Sequence, residues 1–514
     1  MNTKTKIFTR AAALITAALI AVSLLFTACP NSAGGSAGGN SGGSSGGGSG
    51  SGGGPASFAV TFGVDGTPAN GTLKAQADGI AETEVSPITV GKDTTVTFTA
   101  TAAPDYTVGT WTITGGTFET GGTPASTSAT VKITAATTVK VSFEHDYKPV
   151  AFDDLDNHLK NASPAADGIH YIEVPDLQAK NLKGKHTDPY KPSALGKILK
   201  ANSNKKVALK LPKTIAGLTD MRYCFYECTN LAHVTEIPAG VTRMDSCFYG
   251  CTSLTRAPRI PSGVTDMSSC FNECTNLTQA PEIPDGVTYM GFCFKSCKSL
   301  TQAPKIPSGV TDMQSCFSGC EKLAQAPEIP YGVTDMGSCF IGCENLTQAP
   351  KIPASVTSIY YCFIGCTKLT QAPRIPDGVT DMRNCFQRCT SLTQAPEIPN
   401  RVTRMDSCFK DCTKLTQAPR IPAGVENMEQ CFIDCKSLAQ APEIPNRVTN
   451  MKYCFSGCKS LTSVTLKCNY NGNFMNAFGD CSKLVENSIK VPQNQVSVYQ
   501  TNAAAMGTEA NRFY

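Results

Sequence analysis

The stretch "CFNECTNLTQAPEIPDGVTYMGFCF", residues 270–294, holds a Cys-Phe-x-x-Cys element and runs straight into the next copy of itself. The first cysteines of successive copies fall at 224, 247, 270, 293, 316, 339, 362, 385, 408, 431 and 454, a period of 23 with no slip, and a second cysteine follows each by four. An altered further copy, "FMNAFGDCSKL", covers residues 474–484. Copies keep Val, Met, Cys, Phe, Cys, Leu, Ala and Ile and vary elsewhere, as at Asn272 and Glu273 against Lys295 and Ser296. Fixed apolar and variable polar positions mark core and surface. One unit has too few apolar residues to offset the entropy of ordering its backbone, so neighbours must cover its faces. A constant period of this length implies a solenoid.

Within a unit, Met267, Cys270, Phe271 and Cys274 have the i, i+3, i+4, i+7 spacing of a helical face. Asp266 and its counterparts Asp220, Asp312, Asp335 and Asp381 stand where an N-cap would. The opposite side, "LTQAPEIP", must be extended. Its prolines lack an N–H, so only two or three residues of β-ladder are expected near Thr-Gln-Ala. The expected fold is an α/β solenoid of about twelve rungs, a short helix plus a short strand per rung, preceded by a small β-rich domain. The residue before each Ile-Pro supports stacking in register. It reads Glu236, Arg259, Glu282, Lys305, Glu328, Lys351, Arg374, Glu397, Arg420, Glu443, alternating in sign except at Lys351 and Arg374. Opposite charges on neighbouring rungs would attract.

Three accounts of the paired cysteines compete. The C-x₃-C spacing is compatible with zinc thiolates, two rungs building one site. Disulfides suit an exported protein, but a regular stack holds side chains parallel rather than converging. Cysteine is also a small, readily buried hydrophobe. In the altered copy Ala477 fills the first cysteine slot while Cys481 remains. Alanine keeps packing and would destroy a metal site. The expectation is therefore a packed, reduced, metal-free core.

Outward from the repeats, the chain has 514 residues, with 45 basic and 41 acidic side chains. Three of the bases, Lys4, Lys6 and Arg10, precede an apolar run ending at Phe26, and the remainder is close to neutral. Nothing in that balance argues for nucleic acid. The run is shorter than the ~20 residues that span a bilayer and ends in small residues, as an export signal does. After "LFTAC", residues 25–29, comes a Gly/Ser stretch to residue 54, a flexible tether. Residues 55–146 alternate Val, Ile, Phe and Tyr with Thr and Lys and read as a β-rich domain. Residues 147–217 mix two helical faces, Phe152/Leu155/Leu159 and Leu195/Ile198/Leu199, with short strands, and are assigned as the cap of the solenoid. Repeats occupy 218–463, and 464–514 holds the last altered repeat and a closing helix.

Three resemblances follow from these residues. "LFTAC" resembles the lipobox of bacterial lipoproteins, which implies a signal peptide over 1–28 and a diacylglycerol on Cys29. "DYTVGTWTITGG" and "VKVSF" resemble the divergent internalin-B B-repeat domains of surface proteins. "VTDMxxCFxxCxxLTQAPxIP" resembles the BspA-like leucine-rich repeats of bacterial surface proteins, with Cys in place of Ala or Met and "APxIP" in place of a more ordinary strand. Together they imply an exported, lipid-anchored protein, on the outer membrane and surface-exposed, that binds a protein or glycan on a matrix or another cell. No cofactor is implied. The alternative is a structural envelope or thiol- or metal-holding repeat protein. No Ser/His/Asp set, paired-carboxylate motif or phosphate loop is readable, so an enzyme is not expected. The candidate ligand face is the uniform extended side: Arg259, Glu282, Lys305, Glu328, Lys351, Arg374 and Glu397, with Gln279, Gln302, Gln348, Gln371 and Gln394 as hydrogen-bonding groups.

Overall fold

The computed structural model describes residues 56–66, 70–186 and 190–514. The export signal, Cys29 and the tether lie outside the described residues. Among the described residues nine strands come first: β1 (Ser57–Val64), β2 (Gly71–Ala77), β3 (Ile80–Thr83), β4 (Ile88–Gly91), β5 (Thr95–Ala102), β6 (Tyr106–Thr114), β7 (Phe118–Gly121), β8 (Ser128–Lys132) and β9 (Thr137–His145). They form two sheets, ordered β4-β1-β9-β6 and β3-β2-β5-β8-β7. Strict alternation of side chains sends Val139, Val141 and Phe143 of β9 inward to one core shared with Val60, Val96, Phe98 and Val131. Trp111 belongs to that core. Its Nε1 donates to the Ser126 carbonyl at 2.8 Å, so the ring is a packed structural element rather than an exposed platform.

The next segment builds the first turns of a second, parallel stack. β10 (Lys148–Pro149), β11 (Ile169–Glu173), β12 (Lys206–Lys210) and β13 (Leu231–Val234) pair in that order, all parallel. α1 (Leu155–Asn161), α2 (Ala179–Leu182) and α3 (Ala194–Ala201) cross between them. Ser193 caps α3, its Oγ accepting from the Gly196 N–H at 3.0 Å. His145, at the end of β9, stacks at 3.7 Å on Tyr171 of β11.

From Leu218 onward one rung follows another around a single continuous core that reaches Phe513. Phe225, Phe248, Phe271 and their successors to Phe455 stand in a column with ring centroids 5.3–5.8 Å apart and nearly parallel planes. Parallel rings at that distance are offset, which avoids the repulsive face-to-face sandwich. The C-terminal end is closed by β14 (Gln440–Ile444), β15 (Ser463–Leu466), β16 (Ile489–Lys490) and α4 (Val496–Thr501), with Tyr499 and Phe513 covering the last phenylalanines.

The helical side of each rung is tighter than the spacing predicts. It is a string of turns in which backbone N–H groups alternate between two partners. Cys270, Asn272 and Cys274 donate three residues back, to Met267, Ser269 and Phe271. Ser269, Phe271 and Glu273 donate instead to the next rung, to Gly291, Cys293 and Lys295. An α-helix would keep every N–H within its own rung. Here half of them hold rung to rung. The alternation requires a left-handed residue before each cysteine, as at Ser269 (φ 54°) and Glu273 (φ 62°). Asp266 does not cap a helix; its Oδ1 accepts from the Ser268 N–H at 2.9 Å, an Asx-turn that starts the string. Asp312, Asp335 and Asp381 do the same two residues on.

Candidate ligand-binding face

On the extended side the prolines limit pairing further than two or three residues. From Arg256 to Gln417 the pairing falls to isolated one-residue bridges: Arg256 with Gln279, Gln279 with Gln302, Gln325 with Gln348, Gln348 with Gln371, Gln371 with Gln394, Gln394 with Gln417. The bridge uses the backbone, leaving the glutamine side chains exposed. Among the described residues, the Gln279, Gln302, Gln348, Gln371 and Gln394 amides make no hydrogen bond to the protein. Each therefore keeps its donors and its acceptor for another molecule. Beside them the exposed Thr278, Thr301 and Thr416 point along the stack, their Oγ1 donating to the carbonyl one rung earlier at 3.1–3.4 Å.

The charged column stands three residues beyond. Arg259, Glu282, Lys305, Glu328, Lys351, Arg374 and Glu397 are all exposed, and each is followed by a buried isoleucine. The expected attraction between neighbouring rungs is not realised as ion pairing. Among the described residues, no two side chains of this column from Glu236 to Glu443 come within 4.0 Å. The acid–base contacts near it run elsewhere: Arg374 to Asp377 at 4.0 Å and Lys467 to Glu443 at 2.6 Å. Fully solvated long side chains lose rotamer entropy on pairing and gain little in return, which leaves them extended.

Two grooves open on this side, where the Ala-Pro-x-Ile-Pro segments leave space between rungs. One, of about 840 Å³, is lined by Glu236, Arg259, Glu282 and Asp285 over prolines 258, 261, 281 and 284. The other, of about 950 Å³, lies at the C-terminal end and is lined by Arg420, Glu443, Lys467 and Lys490 over Ile421, Leu466 and Val491.

The cysteines face the other way. Every cysteine of the chain except Cys29 is a buried, unpaired thiol. The two columns differ in a way the sequence did not announce. Cys228, in the first rung, donates its S–H to the Gly196 carbonyl. From Cys251 onward the second cysteine of each rung donates its S–H to the phenylalanine carbonyl of the preceding rung, as Cys251 to Phe225, Cys274 to Phe248 and Cys297 to Phe271, all at 3.1 Å. The same carbonyl already accepts an N–H, so both its lone pairs are used. The first cysteines beyond Cys224 give no comparable thiol bond and serve as packing. That explains Ala477: it occupies the packing slot, while Cys481 keeps the donor, 3.1 Å from the Phe455 carbonyl. Burial pushes the thiols up, to about 12 at Cys339 and Cys481 and well above the usual value at Cys270 and Cys293. A thiol held protonated is a poor nucleophile and a poor metal ligand.

The turn side is irregular, as the sequence implied, and its aromatics form two local clusters. Tyr226 stacks on Tyr249 at 4.8 Å, and the Tyr249 hydroxyl donates to Glu273 at 2.9 Å. Tyr360 lies across Gly337, where a Cβ would sit 2.7 Å from the ring, and its hydroxyl accepts from Gln314 Nε2 two rungs away. The signal for that contact was the pair Gly337 and Tyr360 in the same slot of adjacent rungs.

Comparison with known proteins agrees with this geometry. The family described as BspA type leucine-rich repeat region (6 copies) matches residues 202–324, 292–416, 337–452 and 382–505, more than half of the chain. The chain belongs to the BspA type leucine-rich repeat family. Among solved structures, the repeat protein is similar to a leucine-rich repeat protein from Bacteroides ovatus, with 22% identity, 60% of this chain and 83% of that one covered, and a TM-score of 0.46. It is also similar to a leucine-rich cell surface protein from Faecalibacterium prausnitzii (22% identity, 54% and 90% covered, TM-score 0.33). A third is a leucine-rich repeat protein from Eubacterium ventriosum (18% identity, 58% and 92% covered, TM-score 0.35). The comparison with curated proteins found no match. Among the described residues, no helix is long and apolar enough to cross a membrane.

Proposed function

We propose that this BspA type repeat protein is a lipid-anchored protein of the bacterial surface whose solenoid presents its extended side to a macromolecular ligand. The observation that carries the reading is the repetition, rung after rung, of exposed glutamine amides without protein partners beside exposed charges. A protein serving only as scaffold has no need of a polar ladder without internal partners, whereas an elongated ligand meets the same groups at every step. The protonated, packed thiols speak against the thiol- or metal-holding alternative. Cys29 supplies the anchor, and the Gly/Ser stretch to residue 54 supplies the reach, roughly 25 Å for a chain of this kind.

Two measurements test it. The Cys29→Ser variant is expected to leave the detergent-releasable membrane fraction, and its persistence there overturns the lipobox assignment. Retention of the full-length protein on immobilised matrix proteins or cell-wall polymers is expected. Retention must weaken when Gln371, Gln394 and Gln417 are replaced together by Ala, and retention unchanged by that triple variant removes this face.

A further inference from the structure

The extended side is divided electrically in a way that the alternating column conceals. Lys351 and Arg374 begin a run in which every rung to the C-terminal end offers a base. Where the column residue is acidic, at Glu397 and Glu443, the unit's usual glycine four residues later is replaced by Arg401 and Arg447. Arg420 lies between them, and Lys467 and Lys490 follow. The acidic rungs of the first half, at Glu236, Glu282 and Glu328, keep Gly240, Gly286 and Gly332 there; one further carboxylate stands on each half, Asp285 and Asp377, in the same slot of the unit. All the bases of the run are exposed. Among the described residues only Arg374 and Lys467 have a carboxylate within 4.0 Å. Like charges placed a rung apart repel one another, and Lys351, Arg401, Arg420, Arg447 and Lys490 have no such carboxylate among the described residues to offset that repulsion.

We infer that this C-terminal half, from Lys351 to Lys490, binds a linear acidic polysaccharide laid along the solenoid axis; the inference deepens the reading above and rests on it. Three observations select that chemistry. The C-terminal groove is lined by Ala, Pro, Ile, Leu and Val, with three cations (Arg420, Lys467 and Lys490) against one carboxylate, Glu443, and no aromatic ring, so it lacks the stacking platforms that hold nucleobases. The rung backbones are already bridged along the stack at Gln371, Gln394 and Gln417, so this face offers no sheet edge to which an acidic peptide could add as a strand. What remains are guanidinium and ammonium groups beside glutamine amides, recurring once per rung. A chain of uronic acid units presents a carboxylate and hydroxyls on every ring and meets both kinds of group at each step. Arginine pairs carboxylates through its planar fork.

The test uses the full-length protein and immobilised polygalacturonate, with methyl-esterified polygalacturonate, poly-L-glutamate and a single-stranded oligonucleotide as parallel arms. Polygalacturonate is expected to retain the protein and to lose it as salt rises, because exposed charges are screened. The esterified polymer is expected not to retain it. Arg420→Glu with Lys490→Glu should weaken retention about tenfold or more, since each reversal places like charges together. Arg259→Glu with Lys305→Glu makes the same change in net charge on the first half and should weaken retention severalfold less. Arg401→Gly with Arg447→Gly restores the unit's own glycine, is compatible with the fold, and should also weaken it. Equal loss from both Glu pairs, no loss from the Gly pair, or equal retention on poly-L-glutamate or the oligonucleotide overturns the inference. If the wild type is retained by matrix protein but not by polygalacturonate, this inference falls and the general reading stands. If no immobilised partner retains it, both fall.

Discussion

At the scale of single residues, the two cysteine columns look alike in sequence and do different work. Cys270 fills space, whereas Cys274 fills space and closes the second lone pair of the Phe248 carbonyl. Cys270→Ala should cost about 1 kcal/mol through lost packing. Cys274→Ala should cost about 0.5–1 kcal/mol more, because a buried acceptor loses a partner. Thermal denaturation of the two variants compares them directly, and equal shifts in Tm would show that the thiol bond contributes nothing. The altered rung has already made the milder of these substitutions, at Ala477.

At the scale of the rung, backbone conformation decides what each slot tolerates. Gly342 has φ 66°, yet a Cβ there would meet only the Gly319 Cα at 3.8 Å, so there is room for a side chain and strain only in the backbone. Gly342→Ala should therefore destabilise by about 1 kcal/mol. Gly378 precedes the next Val-Thr in an ordinary conformation with its nearest neighbour at 3.5 Å. Gly378→Ala should be neutral, or raise stability by about 0.5 kcal/mol, by restricting the unfolded chain. Arg401 and Arg447 occupy the slot of Gly378 in other rungs, in keeping with that tolerance. If the two alanines shift Tm alike, the left-handed requirement before the second cysteine is wrong.

For the whole molecule, the thiols act together. In the unfolded chain they ionise near the usual 9.0, whereas burial holds Cys339 and Cys481 at about 12 in the fold. The folded protein then binds more protons than the unfolded one between those values. This contribution to stability is complete below about pH 9 and is lost as pH rises toward 12. One thiol contributes about 1.4 kcal/mol per pH unit in that window, and the columns sum many such contributions. Circular dichroism against pH, with reductant present and ionic strength fixed, should show cooperative loss of structure at about pH 9–10. A fold that survives well above pH 11 would mean that the thiols are not buried as described.

The solenoid, its register and its core were legible in the chain itself. A period without a slip fixes which residues stack, and comparison of copies separates Met267, Cys270, Phe271, Cys274 and Leu277 from the variable surface. The exposed glutamine and charge columns were legible for the same reason. What the chain alone could not decide was where the backbone hydrogen bonds go. The i, i+3, i+4, i+7 spacing suits an α-helix and equally a string of turns. The choice rests on whether a neighbouring rung stands close enough to take the N–H groups of Ser269, Phe271 and Glu273. The alternating charges suggested pairing, but solvated side chains gain too little to pair, and only their positions in space showed that they stay apart; the slots of Arg401 and Arg447 were already given by the period. Periodicity is written in one dimension and survives in the sequence. The competition between a residue's own rung, the next rung and water for each polar group exists only once the rungs are stacked.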